Sequence, residues 1–270
     1  MKEKRGKILG AVLFTFLILL MFYLTFFLPR KVSKEKIELI ELNGSNLLSE
    51  SDYLTFAKLD DIAQYGKITL PVIKDRFEKH PYIRRADVEL NGNNKVSITA
   101  MEKRIEAVLI SDSKPYFISD NFVALPVLPH TKFVDLPVIS NPSKDQQLAP
   151  YSTLKSEEII GALKIIEAAK LTNTNLFKHL TEINLRNGGD IVLSFAGLKP
   201  PVIFGKNNEA AKMVYLSSLW DGSPEISQLT EDCGYIDLRF DNEIIVGGFF
   251  PDESITEIHS NPGTNTGLIE

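Results

Sequence analysis

The sequence predicts an α+β protein with one N-terminal transmembrane helix, a small α+β domain, and a second, mixed β-rich domain with flanking helices. Three observations predict it: an uncharged apolar run near the N-terminus, short alternating runs bounded by turn residues, and a few segments with helical spacing. A length of 270 residues, 44% of them hydrophobic and 24% charged, suits one large or two smaller domains. The single cysteine, Cys233, excludes an internal disulfide and a multi-cysteine metal site.

The transmembrane helix is predicted from an uncharged run that begins at Ile8 and ends at Leu28. At about 1.5 Å per residue, this run spans roughly 30 Å, the thickness of a bilayer's hydrocarbon core. A cleaved signal peptide is the alternative, but its apolar run is about 7–15 residues long and precedes small residues. Here Pro29, Arg30 and Lys31 follow the run. Four basic residues flank it on each side, so charge leaves the orientation open.

Charge is distributed unevenly along the chain. Residues 1–36 hold eight Lys/Arg against two acids, whereas residues 37–270 hold 22 against 33, a net charge of -11. Binding to nucleic acid depends largely on Lys and Arg that neutralise phosphates. The sequence therefore excludes DNA and RNA as partners of the C-terminal body.

The first folded segment reads as strand, helix, helix, strand, strand. Residues 37–42 alternate as a strand that ends at Asn43-Gly44, and Ser49 suits the N-cap of a helix over 49–58. A second helix opens at Pro71 and stops before Pro81. A hairpin over 83–101 turns at Asn-Gly-Asn-Asn. This order predicts a three-stranded sheet with both helices on one face.

The second folded segment is richer in strands. Helical spacing predicts helices over 156–171 and 208–220, and Gly188-Gly189 predicts a hairpin between 181–185 and 190–195. The remaining elements are strands at 116–126, broken by an Asp-centred turn, at 201–205, and in a final hairpin over 235–250.

No residues are predicted to be catalytic, cofactor-binding or metal-binding, and the chain is predicted not to be an enzyme. The four histidines lack metal-ligand spacing, and Cys233 follows two acids that disfavour its thiolate. Asp237 and Asp241 flank Arg239, a pattern more typical of an ion-pair ladder than of acid–base catalysis.

Several motifs together resemble the bacterial cell-division FtsQ/DivIB family. The runs IELIELNGSNLLSESDY and HPYIRRADVELNGNNKVSITAMEKRIEAVLI resemble its POTRA module, with Glu102, Lys103 and Arg104 at the place of a Glu-Arg-like pair. The runs VIFGKNNEAAKMVYLSSLW, with Gly205 and Lys212, and YIDLRFDNEIIVGGFF resemble its second domain. The family's proline and alanine spacing after the Glu-Arg pair is only partly kept.

The resemblance implies a bitopic protein of the bacterial inner membrane, with a cytoplasmic N-terminus and a periplasmic body, located at the midcell septum during division. It implies a non-enzymatic connector between early and late division proteins, with small coiled-coil partners of the FtsB/DivIC and FtsL type among other divisome proteins. No cofactor and no small-molecule substrate is expected. The expected divisions are a cytoplasmic tail at 1–7, the membrane helix at 8–28, a linker at 29–36, the POTRA-type domain at 37–105, the β domain at 106–250 and a disordered tail at 251–270.

The final hairpin is the expected partner-binding site. Its β-branched run is predicted to form an edge strand, whose unpaired backbone groups accept an added strand. The alternative is that this strand is simply the last one of the core. Many family members place an aromatic residue directly after the glycine of this strand, whereas here Gly248 intervenes. The expected partner-binding residues are Arg239, Phe240, Ile244, Val246, Gly247 and Phe249.

Two other functions stay open from the sequence. A POTRA-containing envelope assembly or secretion factor would pair client strands with the small module. A membrane-tethered hydrolase would need a deep polar pocket with perturbed acids.

Overall fold

A computed structural model describes residues 2–27, 37–143, 148–221, 233–240 and 243–248. The first element, α1, is a helix over Lys2–Phe27, so the residues before Ile8 are helical as well. Its side chains are described from residue 12 to residue 24. Over the described residues, no helix combines the length and apolarity needed to cross a membrane. Leu28, the linker at 29–36 and the tail at 251–270 lie outside the described residues.

The first folded unit contains a three-stranded sheet covered by two helices, as predicted. The central strand β3 lies between β1, which is parallel to it, and β2, which is antiparallel. The elements are β1 (Leu39–Asn43), α2 (Glu50–Phe56), a 3-10 helix (Ile62–Lys67), α3 (Leu70–Glu78), β2 (Ile83–Asn91) and β3 (Lys95–Glu102).

Local sequence explains these boundaries. The Ser49 hydroxyl accepts the backbone N–H of Asp52 and caps α2, and Pro71 lies in the first turn of α3. The turn between β2 and β3 uses Asn93 and Asn94 at positive φ, a region that asparagine tolerates. The predicted caps and turn are therefore confirmed.

The second folded unit contains a nine-stranded mixed sheet with order β12-β11-β10-β9-β8-β7-β4-β5-β6. Helices α4 and α6 pack on each other, and Ile159, Ile166 and Leu216 from them enter the core. The strands are β4 (Ile105–Ser111), β5 (Lys114–Ser119), β6 (Ala124–Pro126), β7 (Val138–Ser140), β8 (Leu180–Asn184), β9 (Val192–Phe195), β10 (Val202–Ile203), β11 (Tyr235–Asp237) and β12 (Ile245–Gly247). The helices are α4 (Glu157–Thr172), α5 (Thr174–His179) and α6 (Glu209–Asp221).

The two units are joined by a continuous chain and a shared core. Only Lys103 and Arg104 separate β3 from β4. Phe117 and Leu125, from β5 and β6 of the large sheet, belong to the apolar cluster that also contains Tyr53 and Phe77 of the small unit. Packing therefore extends across the boundary expected at residue 105.

Tyr82 holds this junction together by its hydroxyl. The side chain is fully buried, and its hydroxyl donates to the carbonyl of Pro126 at 3.0 Å and accepts the N–H of Leu128 at 2.8 Å. The hydroxyl of Thr131 lies 3.1 Å away. The residue directly before β2 thus fixes the path of the chain that leaves β6.

Glu102 fixes the other side of the junction. One of its carboxylate oxygens accepts the N–H groups of Asn46 and Leu47, both at 3.0 Å, and the hydroxyl of Tyr53. The neighbouring Lys103 donates its ammonium to the carbonyl of Pro81 at 2.7 Å. Glu102 and Lys103 therefore act as structural links in this fold.

His80 is buried among the rings of Tyr53, Phe56 and Tyr82. Burial, together with the charge of Lys103, lowers the pKa of His80 to about 4. Its neutral Nδ1 accepts the N–H of Tyr82 at 3.1 Å. This histidine is a core residue that supports the junction.

Replacing Tyr82 by Phe should lower the free energy of unfolding by more than the loss of a single hydrogen bond does. Tyr82→Phe leaves the N–H of Leu128 and the carbonyl of Pro126, both partly buried, without the hydroxyl, so we expect a loss of about 1–3 kcal/mol in the free energy of unfolding, measured with urea. The control is Tyr65→Phe, which removes a hydroxyl that donates to the carbonyl of Leu59. Equal losses in the two variants would contradict the junction role of Tyr82.

Candidate partner-binding edge

The last described strand, β12, lies at one end of the nine-stranded sheet. It pairs antiparallel with β11, with Tyr235 opposite Gly247, Ile236 opposite Val246 and Asp237 opposite Ile245. Within the part of the chain that the structure describes, no strand pairs with its other side. This is the terminal edge that the sequence predicts.

The hydrogen bonds of β11 reveal which backbone groups of β12 face outward. The N–H groups of Ile236 and Leu238 donate to β10 or its immediate flank, at Pro201 and Ile203, with distances of 3.0 and 2.8 Å. Because the backbone groups of successive strand residues point to opposite sides, the N–H and C=O groups of Tyr235 and Asp237 point toward β12, where these residues lie opposite Gly247 and Ile245. The N–H and C=O of Val246 consequently point away from β11.

The opposite edge of the same sheet is covered. The N–H of Ala124 in β6 donates to the carbonyl of Ser152 at 3.0 Å, and the N–H of Tyr151 donates to the carbonyl of Ala124 at 2.7 Å. An isolated antiparallel bridge joins Val123 to Thr153. The segment that precedes α4 therefore occupies the position of a tenth strand.

Both edges of the small sheet carry a glutamate that binds an edge N–H. Glu50 of α2 accepts the N–H of Leu42 in β1, and Glu78 of α3 accepts the N–H of Ala86 in β2, each at 3.2 Å. Charged side chains at an edge oppose the addition of a further strand. We call Glu50 and Glu78 the guards of these edges. Among the described edge strands, β12 has neither a guard nor a covering segment.

An ion cluster anchors the segment that precedes β12. Arg239 donates to both carboxylate oxygens of Asp237, with a shortest distance of 2.7 Å, and to Asp190 at 2.8 Å. The backbone N–H of Arg239 also donates to Asp237. Burial raises the pKa of Asp237, but these hydrogen bonds and the charges of Arg239 and Lys212 outweigh burial, so the net pKa is lowered. The predicted ion pairing of Asp237 with Arg239 is confirmed, and Asp241 lies outside the described residues.

Gly205 makes room for this cluster. Its φ is +68°, and a Cβ at this position would lie 2.8 Å from Cγ of Arg239. The ammonium of Lys212, which is buried, donates to the carbonyls of Phe204 at 2.8 Å and Lys206 at 3.0 Å. The glycine and the lysine singled out in the sequence therefore both support the loop on which Arg239 rests.

The surface beside the edge is apolar. The side chains of Phe240 and Val246 are 51% and 49% exposed. The ring of Tyr235 covers Gly247 so closely that a Cβ there would overlap the ring carbons. Ile244 is partly buried against the core, and Phe249 lies outside the described residues.

The structure thus brings five of the six expected residues to one end of the sheet, with Arg239 mainly engaged in ion pairs. Sequence reasoning missed Asp190 and the cover that Tyr235 gives to Gly247. Both contacts join residues that are distant in the sequence, Asp190 and Arg239 being 49 positions apart, and no local pattern indicates them.

The hydrolase alternative needs a polar cleft, and one cleft with charged residues in its lining has a volume of about 480 Å³. Glu158 in its lining accepts the N–H of Ser143 at 2.8 Å and its hydroxyl at 2.7 Å. This carboxylate is therefore engaged in holding a loop.

The chain is similar to a protein named "Cell division protein FtsQ" from Geobacter sp. (strain M21). The two are 23% identical over 211 residues, which make up 78% of this chain and 75% of that protein. No family model matches the chain. The similarity supports the expected resemblance of this chain to the FtsQ family, although the identity is low.

The stability of the ion cluster should depend on pH. Because the folded pKa of Asp237 is lowered, its contribution is complete above the unfolded value of about 3.9 and is lost as the pH falls through the folded value. In urea unfolding, the free energy of unfolding should fall less between pH 7 and pH 3 for Asp237→Asn than for the unchanged protein. We call this fall the acid loss. Arg239→Gln should remove a smaller part of that loss, because the backbone N–H at position 239 and the charge of Lys212 remain beside Asp237. An unchanged acid loss in Asp237→Asn would contradict this.

Proposed function

We propose that this protein is a non-enzymatic, bitopic component of the bacterial inner membrane that connects early and late division proteins at the septum. It does so by binding small coiled-coil partners of the FtsB/DivIC and FtsL type with its extracytoplasmic body. The observation that carries the proposal is the edge of β12, on which no other described strand pairs, in a chain similar to an FtsQ protein.

The similarity supports a cell-division role at the level of the family. It covers three quarters of each chain, so it includes more than a single module. POTRA modules alone would leave several envelope functions open, whereas an extended match favours one architecture. The proposed division places the POTRA-type domain at 37–105 and the partner-binding domain at 106–250.

Strand addition is the proposed mode of binding. An extended partner segment would form hydrogen bonds with the outward N–H and C=O of Val246, and its side chains would contact Phe240, Ile244 and Val246. Arg239 supports the edge through Asp237 and Asp190 and leaves a partly exposed guanidinium beside it. We include Gly247 and Phe249 in the same site.

The membrane anchor is proposed from the sequence. The run from Ile8 to Leu28 has no charge, and the side chains described from residue 12 to residue 24 are all exposed in the isolated chain. An exposed apolar surface of this size requires a cover, and a bilayer supplies one. The N-terminus is proposed to be cytoplasmic, and the body periplasmic.

The guarded edges of the small sheet count against the assembly-factor alternative. A client strand that adds to β1 or β2 would have to displace Glu50 or Glu78 from the N–H groups they bind. The edge of β12 presents no such obstacle among the described residues.

Imaging in dividing cells tests the cellular role. A fluorescent tag placed before α1 should give a band at midcell, because the protein is proposed to join the septal machinery. Uniform envelope fluorescence would favour the assembly-factor alternative instead.

A proline at the edge tests the binding mode. Val246→Pro removes the outward N–H while leaving the hydrogen bonds of Ile245 and Gly247 to β11, so the fold should persist and capture of the coiled-coil partner should weaken. The control is Val246→Ala, which shortens the side chain and keeps the N–H. Unchanged capture by a folded Val246→Pro protein would falsify strand addition at β12.

A further inference from the structure

We propose that two copies of this chain pair with each other through β12, edge to edge, when no partner strand occupies it. The inference rests on the same open edge as the proposed function, and it adds a second copy of the chain as a competing occupant. Self-pairing would then hide the partner-binding strand until a partner displaces the second copy.

The backbone geometry favours a two-fold axis at Val246. In an antiparallel pair, a hydrogen-bonded residue exchanges both its N–H and its C=O with the residue opposite. Val246 has both groups directed outward, so it satisfies this requirement when it lies opposite the second copy's Val246. This register also places Ile244 opposite the second copy's Gly248, which gives the segment 244–248 its full overlap.

The charge pattern permits such an interface. Residues 244–250 carry no charge, and an isologous interface must be complementary to itself. The nearest preceding acid, Glu243, would lie six strand positions from the second copy's Glu243, or about 20 Å, beyond the Debye length at physiological salt. The small-sheet edges, in contrast, hold Glu50 and Glu78 directly on edge N–H groups.

The expected contact is small. Five residues from each copy bury much less than the roughly 1,200 Å² of a stable interface. Self-pairing should therefore be weak in dilute solution and stronger where anchoring to one membrane raises the local concentration. A weak contact of this kind is readily displaced by a partner that adds further contacts.

Cysteine cross-linking tests the register in the full chain. In a Cys233→Ser background, Val246→Cys in membrane vesicles should shift from monomer to disulfide-linked dimer on mild oxidation, because paired Cα atoms lie about 5.5 Å apart. The control is Val214→Cys, which places an equally exposed thiol on α6. Equal cross-linking at the two positions would overturn the proposal.

Charge exchange provides the second test. In membrane vesicles, Val246→Lys and Val246→Glu should each associate less than the unchanged protein, measured by energy transfer between tags placed before α1, since like charges would meet across the axis. An equimolar mixture should form the dimer, because the opposite charges then face each other. A mixture that associates no more than either variant alone would also overturn the proposal.

The two proposals fail separately. Cross-linking at Val246 together with partner capture that survives Val246→Pro would remove strand addition by the partner and leave self-pairing. Absence of cross-linking together with capture that Val246→Pro abolishes would remove self-pairing alone.

Discussion

The buried hydroxyl of Tyr82 is the contact on which the arrangement of the two units depends. It binds the carbonyl of Pro126 and the N–H of Leu128, which belong to the chain that leaves the large sheet, while Tyr82 itself precedes β2 of the small sheet. The neutral ring of His80 accepts the backbone N–H of Tyr82, and the carboxylate of Glu102 holds Asn46 and Leu47 on the other side of the junction. Since only two residues separate β3 from β4, these contacts fix how one sheet continues into the other.

The edges of the two sheets differ in what covers them, and this difference determines where a partner strand can bind. Three edges are occupied by a carboxylate or by a neighbouring segment, whereas β12 presents Val246 to its surroundings in the described structure. The cluster of Arg239, Asp237 and Asp190 holds the chain beside β12 to the loops of β9 and β10. The short strand β12 can remain ordered because the ion cluster, which lies outside it, holds β11 and the start of the segment between β11 and β12 in place.

The sequence predicts the parts of the fold that local chemistry determines. Ser49, Pro71 and the Asn-Gly-Asn-Asn turn identify two helices and a hairpin, because caps and turns depend on neighbouring residues. The three-residue strand β7 and the six-residue helix α5 were not predicted, since such short elements carry no periodicity. The guards Glu50 and Glu78 were also not predicted. Each binds an N–H group eight positions away in a different element, and the two groups meet only after the helix has packed on the sheet.

The parallel pairing of β1 with β3 has a mechanical consequence. The chain enters the small sheet at Leu39, opposite Lys95, and leaves it at Glu102, the far end of β3. A force that pulls these two points apart slides β1 along β3 and loads all their hydrogen bonds at once, instead of opening them one after another. The small sheet is therefore built to resist tension between residue 37 and the large sheet.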